Sequence, residues 1–215
     1  MIFQHLIVGM FQTNCYLLGD RESGKAVLID PGAEGERICA KLRELGLKLS
    51  AILVTHAHFD HTTAAWTLKK QCGGEIYLNS EDRNSLLQVI FGLAARFFPE
   101  IRPVSPYEVD RSLAQGDQLQ FGAICMEVLS TPGHTPGHVS FYWREQGILF
   151  SGDLIFAGSI GRTDLAGGSF QQLMDSVRAK IFTLPDETLI YPGHGPGTTV
   201  GMEKKHNPFF LRKSG

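Results

Sequence analysis

The stretch Thr55-His56-Ala57-His58-Phe59-Asp60-His61 places four potential metal ligands within seven residues. It overlaps the end of Ala51–Thr55, an apolar run that predicts a buried strand. Residues two apart in an extended chain project to the same side, so His56 and His58 can reach one metal ion. Asp60 and His61 follow as a helix begins, and they turn toward a second position.

Three later turns carry side chains of the same kind. The first is Thr131–His138, which holds His134; the second is Ser151–Asp153; and the third is Tyr191–Pro196, which holds His194. Each turn follows an apolar run that predicts a strand, namely Ile124–Leu129, Ile148–Ser151 and Leu189–Tyr191. Loops at the ends of strands can converge on one rim of a scaffold. The sequence therefore predicts that these groups meet at one metal site.

The candidate ligands are five imidazoles and two carboxylates: His56, His58, Asp60, His61, His134, Asp153 and His194. This set suits zinc, iron or manganese and does not choose among them. Seven ligands are too many for one tetrahedral ion and fit two. Two divalent ions, two ionised aspartates and one bridging hydroxide leave a centre of about +1, which attracts an anionic substrate. Bound metal lowers the pKa of water to roughly 7, so we expect metal-assisted hydrolysis.

The composition excludes several classes of protein. Of the 215 residues, 43% are hydrophobic and 20% are charged, as in ordinary globular proteins. A formal charge of -2 disfavours a nucleic-acid partner, and no run reaches the roughly 18 apolar residues of a membrane span. The scattered cysteines Cys15, Cys39, Cys72 and Cys125 are typical of a reduced cytoplasmic protein. Each is expected to be a small buried or partly buried residue.

The remaining pattern predicts a single α/β domain over residues 1–215. Short apolar runs typical of strands fill both halves, while Glu34–Leu45 and Ser169–Phe182 have helical periodicity. Ser169 and Gln172 form an S-x-x-Q capping box at the start of the second helix. Two central sheets with helices outside would bury all of these apolar faces.

The segment Glu81–Phe98 is apolar around nearly the whole circumference of a helix. Such a helix needs partners on several sides. We expect one face to pack on the domain, and Phe91, Phe97 or Phe98 to border the substrate entrance or a subunit interface. The chain would accordingly be a monomer or a homodimer.

The T-H-x-H-x-D-H run at 55–61, with the later histidines and acid in the same order, resembles the metallo-β-lactamase superfamily. This resemblance covers nearly the whole chain and implies an αβ/βα sandwich, with two mixed β-sheets flanked by helices. It further implies two metal ions, with zinc as the first choice and iron or manganese as alternatives. By the resemblance, metal one is held by His56, His58 and His134, metal two by Asp60, His61 and His194, and both by a bridging Asp153.

Within this superfamily the chain is similar to the glyoxalase II branch, the hydroxyacylglutathione hydrolases, and most to its short bacterial members. Asp153 stands where the main class of true β-lactamases has a cysteine, and the ending His206-Asn207-Pro208-Phe209 is similar to the short members. The resemblance implies hydrolysis of thioesters such as S-2-hydroxyacylglutathione, with Asp60 orienting the metal-bridging hydroxide. Arg162 is expected to contact an anionic part of this small-molecule substrate.

Two other reaction classes stay open from the sequence. Gly161-Arg162-Thr163-Asp164 also resembles persulfide dioxygenases, which share the fold but use one iron. Their last ligand-like histidine typically lies in a different turn from Gly193-His194-Gly195-Pro196. A mono-iron persulfide dioxygenase is therefore the second hypothesis, and a lactonase or phosphodiesterase is the third.

Overall fold

The computed structural model describes residues 1–83 and 109–211, and the first of its two six-stranded sheets comes from the first half of the chain. Its strands, in spatial order, are β1 (Ile2–Val8), β2 (Thr13–Asp20), β3 (Lys25–Ile29), β4 (Lys48–Leu53), β5 (Glu75–Asn79) and β6 (Arg111–Leu113). The first three strands pair antiparallel. From β3 to β6 the pairing is parallel.

The second sheet comes from the second half of the chain. Its strands are β7 (Gln118–Phe121), β8 (Ile124–Ser130), β9 (Val139–Trp143), β10 (Ile148–Gly152), β13 (Leu189–Pro192) and β14 (Thr198–Thr199), in the spatial order β14-β13-β10-β9-β8-β7. Only β10 and β13 pair parallel; the other neighbours are antiparallel. A short hairpin of β11 (Ile155–Phe156) and β12 (Ser159–Ile160) lies outside this sheet.

Helices cover the outer faces of the two sheets. They are α1 (Gly35–Glu44), α2 (Phe59–Thr62), α3 (Ala65–Cys72), α4 (Ser80–Arg83), α5 (Phe170–Ser176), which continues as a π-helical turn (Val177–Ile181), and α6 (Val200–His206). All eight residues of β2 are buried. Leu17 packs in one cluster with α1 and α3, whereas Leu18 packs against the second sheet. This alternation confirms the predicted arrangement of two central sheets with helices outside.

The predicted Ser169 helix is confirmed at its start and altered at its end. The hydroxyl of Ser169 accepts a hydrogen bond from the backbone N–H of Gln172 at 3.4 Å, as the capping box predicts. The helix then changes to π-helical geometry over Val177–Ile181. Leu173, Met174, Val177 and Ile181 are buried in one cluster with residues of the second sheet, whereas Phe170 at the start of the helix is exposed. The apolar face of the helix is therefore kept although its helix type changes.

The four cysteines are buried or partly buried as expected, but the prediction that they are reduced is wrong for one pair. A disulfide joins Cys39 of α1 to Cys72 of α3, with the two Cα atoms 6.2 Å apart. The pair is 33 residues apart in sequence, and only the packing of α1 on α3 brings the two together, so scattered spacing concealed it. Cys15 is a buried free thiol and Cys125 a partly buried one, as expected.

The apolar segment Glu81–Phe98 lies outside the described residues beyond Arg83, so its proposed place at an entrance or interface stays a prediction. Within the described ranges, no helix has the length and apolar character needed to cross a bilayer.

Candidate metal centre

The predicted ligands come together at one rim of the two sheets. His56 and His58 follow β4, and Asp60 and His61 lie on α2. The turn after β8 carries His134, and the parallel neighbours β10 and β13 end beside Asp153 and His194. The backbone N–H of Gly193 donates to the carbonyl of Gly152 at 2.8 Å. This bond holds the last two ligand-bearing turns side by side.

Three histidine nitrogens form the first cluster. Nε2 of His56 lies 3.0 Å from Nδ1 of His58 and 3.2 Å from Nε2 of His134. The remaining pair, Nδ1 of His58 and Nε2 of His134, is 2.9 Å apart. Three nitrogens around a tetrahedral zinc ion would be about 3.3 Å apart, given zinc–nitrogen bonds of about 2.0 Å. The cluster therefore has nearly the spacing that a metal ion requires.

Neighbouring groups keep the ring protons of this cluster away from its centre. Nδ1 of His134 donates to the backbone carbonyl of Arg162 at 2.7 Å. The hydroxyl of Thr55 donates to Asp30 at 2.7 Å, so its oxygen accepts from Nδ1 of His56 at 3.0 Å. In both rings Nε2 is left with a lone pair directed at the cluster.

Burial also favours the ligating form of these rings. Because burial disfavours charge, the pKa of His56 falls well below its ordinary value, and that of His134 is also lowered. The same cause lowers the pKa of His58 to about 3. All three imidazoles are therefore neutral near pH 7, which is the form that binds metal.

The second cluster consists of Asp60, His61 and His194. Nε2 of His194 lies 3.3 Å from Nε2 of His61 and 3.3 Å from Oδ2 of Asp60. The third separation, from Nε2 of His61 to Oδ2 of Asp60, is 3.6 Å. Nδ1 of His61 donates to Asp30 at 3.0 Å, so Nε2 faces the cluster. These three groups could hold a second ion beside the first.

Asp153 reaches both clusters. Its Oδ2 lies 3.7 Å from Nε2 of His134 and 3.6 Å from Nε2 of His194. Its Oδ1 is buried and forms no hydrogen bond among the described residues, and its nearest polar neighbour is Nε2 of His61 at 3.5 Å. A buried carboxylate oxygen without a hydrogen bond is costly, and a metal ion between Oδ1 and this nitrogen would reduce that cost. Both the donor set and this oxygen fit divalent metal ions.

The charges of the second cluster also favour a cation. Burial opposes ionisation of Asp60, but His61 and His194 outweigh it, so the pKa of Asp60 is lowered. Burial likewise disfavours a charged His61, yet the surrounding carboxylates of Asp153, Asp60 and Asp30 raise the pKa of His61 to about 10. A pocket that attracts a proton this strongly also attracts a metal ion.

Asp30 is a buried carboxylate beside the centre that the sequence did not predict, because Asp30-Pro31-Gly32 is typical of a turn. Asp30 is 2% exposed; its carboxylate accepts from the N–H and hydroxyl of Thr55 and from Nδ1 of His61. Its φ of 50° is unusual for a residue with a side chain. The sequence feature that could have indicated this role is an acid directly after β3, the strand beside β4.

Arg162 enters the site through its backbone. Its carbonyl oxygen holds His134, but its guanidinium forms two bonds of 2.8 Å with the carboxylate of Asp164. Both side chains are exposed. The predicted contact with an anionic substrate therefore competes with an ion pair at the surface.

An apolar pocket of about 220 Å³ borders Asp60, and none of its lining residues belongs to the first cluster. Met10 and Phe11, in the turn between β1 and β2, form one wall, and Phe59 of α2 forms another. The rings of Phe11 and Phe59 meet edge to face, with centroids 5.1 Å apart. This pocket could receive an apolar group next to the candidate centre.

A family model, described as Metallo-beta-lactamase superfamily, matches residues 8–194. The match runs from the end of β1 to the last candidate ligand. The chain belongs to this superfamily and has the metallo-β-lactamase fold, as the resemblance implied.

Individual relatives have more specific names than the superfamily. The chain is 42% identical over 209 residues to hydroxyacylglutathione hydrolase GloC of Haemophilus influenzae, covering 96% of this chain and 97% of the relative. It is 38% identical to the mitochondrial persulfide dioxygenase ETHE1 of Mus musculus, over 91% of this chain and 70% of that protein. A structure of TTHA1623 in a di-iron-bound form superposes with a TM-score of 0.82 at 44% identity, covering 96% and 99% of the two chains. The superfamily match and the similarity to GloC support a metal-dependent hydrolase with a small-molecule substrate.

Proposed function

We propose that the protein is a thioesterase with two divalent metal ions, acting on anionic thioesters such as S-2-hydroxyacylglutathione. The observation that carries this proposal is Asp153, whose carboxylate lies between two complete ligand clusters. The similarity to hydroxyacylglutathione hydrolase GloC supports the choice of thioester. Zinc suits the nitrogen and oxygen ligands, and iron or manganese suits them as well.

The chain's own residues bind and orient the substrate. When bound, the metal ions would lower the pKa of water to roughly 7 and polarise the substrate carbonyl. Oδ2 of Asp60 accepts a hydrogen bond from the hydroxyl of Thr13 at 3.3 Å, which helps to hold the carboxylate in place. From this position Asp60 can accept a hydrogen bond from a group that carries a proton beside the centre. The pocket walled by Phe11 and Phe59 offers room for the acyl part.

A persulfide dioxygenase with one iron is the second candidate, favoured by the identity with ETHE1. A mononuclear enzyme needs only one of the two clusters. His194 argues for the hydrolase, because it completes the second cluster with Asp60 and His61. A lactonase or phosphodiesterase would use the same two clusters and differ only in substrate.

Metal analysis combined with activity assays tests these alternatives. The protein is purified without added metal, and its metal content is measured beside its activity on S-lactoylglutathione, on glutathione persulfide, and on a lactone and a phosphodiester. Two ions with thioester hydrolysis support the proposal. One iron with oxygen uptake on the persulfide would replace it with the dioxygenase. Two ions with turnover of lactones or phosphodiesters alone would leave the metal centre intact and refute the thioester.

Arg162→Ala should raise KM by at least about tenfold for an anionic thioester while kcat changes little, since a hydrogen bond to a charged group contributes about 1.5 to 3 kcal/mol and about 1.4 kcal/mol corresponds to a factor of ten. The backbone carbonyl that holds His134 is kept in this variant. Asp164→Ala is the matched control: it removes the competing ion pair and should lower KM or leave it unchanged. An unchanged KM in Arg162→Ala would show that the guanidinium serves only the surface ion pair.

A further inference from the structure

Asp82 is a fully buried carboxylate outside the candidate ligand set. It lies on the short helix α4, directly after β5, with 0% of its surface exposed. Burial raises the pKa of Asp82, and hydrogen bonds from Thr135, Ala57 and Gly137 act in the opposite direction. Burying a carboxylate is costly unless its oxygens accept hydrogen bonds, and these three bonds meet that requirement for Asp82.

All three hydrogen bonds go to the loops that carry the first cluster. Oδ2 of Asp82 accepts from the backbone N–H of Ala57 at 2.9 Å and from the hydroxyl of Thr135 at 2.7 Å. Oδ1 accepts from the N–H of Gly137 at 2.6 Å. Ala57 lies between His56 and His58, and Thr135 follows His134 in the chain.

The carboxylate therefore joins two loops that come from different sheets. Ala57 follows β4 of the first sheet, whereas Thr135 and Gly137 follow β8 of the second. The contact is close enough that a Cβ on Gly137 would come within 2.4 Å of the backbone nitrogen of Asp82. Glycine is thus required where the second loop passes α4.

We propose that Asp82 is a positioning residue that sets the affinity of the first metal cluster by holding its two loops at the ligating distance. Asp30 acts comparably on single ligand side chains, since it accepts from Nδ1 of His61 in the second cluster and from Thr55, which holds His56 in the first. Groups that orient metal ligands typically alter metal affinity when they are removed. The inference rests on the two-cluster centre of the proposed function and is independent of which substrate the enzyme uses.

Asp82→Asn tests this role by metal affinity. The amide offers only one acceptor oxygen, so at least one of the three donors loses its partner. Titration with Co²⁺, followed by its absorption spectrum, and chelator competition with Zn²⁺ give the affinities of both clusters. His134→Ala and His194→Ala identify which affinity belongs to which cluster. We expect the first cluster to weaken about 10- to 100-fold and the second to stay unchanged.

Asp20→Asn is the matched control. Asp20 is also buried and bridges two turns, accepting from Ser23, Glu22 and Ala123, but none of its partners bears a candidate ligand. The Asp20→Asn substitution should lower the free energy of unfolding of the protein without changing the metal affinity of either cluster. If Asp82→Asn behaves like Asp20→Asn, or weakens both clusters equally, α4 serves packing alone and the proposal fails.

Thr135→Val provides a milder variant should Asp82→Asn not fold. It removes one of the three bonds and keeps the shape of the side chain. We expect a smaller but still selective weakening of the first cluster, visible in the Co²⁺ spectrum. If Thr135→Val binds Co²⁺ at both clusters with the same affinities as the unsubstituted protein, the proposal is wrong. This result does not depend on a measurement of activity.

Discussion

Replacing Asp153 with alanine should remove both metal ions from the protein together. Its Oδ2 lies nearly equidistant from Nε2 of His134 and Nε2 of His194, at 3.7 and 3.6 Å, so each ion would lose a ligand. Loss of a group that merely orients a ligand costs about 10- to 100-fold in affinity, and loss of a shared ligand should exceed this at both clusters. Metal content after dialysis, measured by elemental analysis, gives the result.

The controls for this variant remove ligands of a single cluster. His134→Ala should empty the first cluster before the second, and His194→Ala should do the reverse. If Asp153→Ala lost only one ion, or kept both, the carboxylate would not bridge. The circular dichroism spectrum of each variant establishes that the fold is retained.

Asp60→Asn should reduce kcat by about 100-fold or more while the protein stays folded. The amide has the shape of the carboxylate but not its charge, so it cannot accept a proton or orient hydroxide as an anion does. Positioned groups of this kind contribute about 10²- to 10⁴-fold to rate, and a 100-fold loss corresponds to about 2.7 kcal/mol. Turnover of S-lactoylglutathione is measured on samples of verified metal content.

Thr13→Val is the comparison for this substitution. It removes the hydroxyl that lies 3.3 Å from Oδ2 of Asp60 and leaves the carboxylate itself in place. A modest loss of kcat is expected there, because Asp60 keeps its charge. Nearly normal turnover in Asp60→Asn, with two ions bound, would exclude this role for Asp60.

Local patterns predicted the elements and the loops that carry the ligands. Helical periodicity over Glu34–Leu45 corresponds to α1 at Gly35–Glu44, and the apolar run Ile124–Leu129 corresponds to β8 at Ile124–Ser130. The run Ala51–Thr55 is less accurate, since β4 spans Lys48–Leu53. The spacing of apolar residues along a segment is a local property of the sequence, so it can be recognised before the fold is known.

The groups that hold the ligands were not predictable in the same way. Asp30 acts on Thr55, which is 25 residues away, and Asp82 acts on Thr135, 53 residues away. Both acids occur in ordinary turn or helix-start sequences, so nothing local distinguishes them from solvated carboxylates. The disulfide between Cys39 and Cys72 was missed for the same reason, because only packed helices bring the two thiols together.

The division of the chain between the two sheets has a consequence for assembly. Strands of the first sheet lie within residues 2–113 and those of the second within 118–199, so neither half carries a full set of ligands for the first cluster. A metal ion that needs His56 and His134 at once can bind tightly only after the halves have docked. Binding then shifts the docking equilibrium by mass action, by about 4 kcal/mol at a free metal concentration a thousand times Kd. The catalytic metal ion would therefore also stabilise the association of the two halves of the chain.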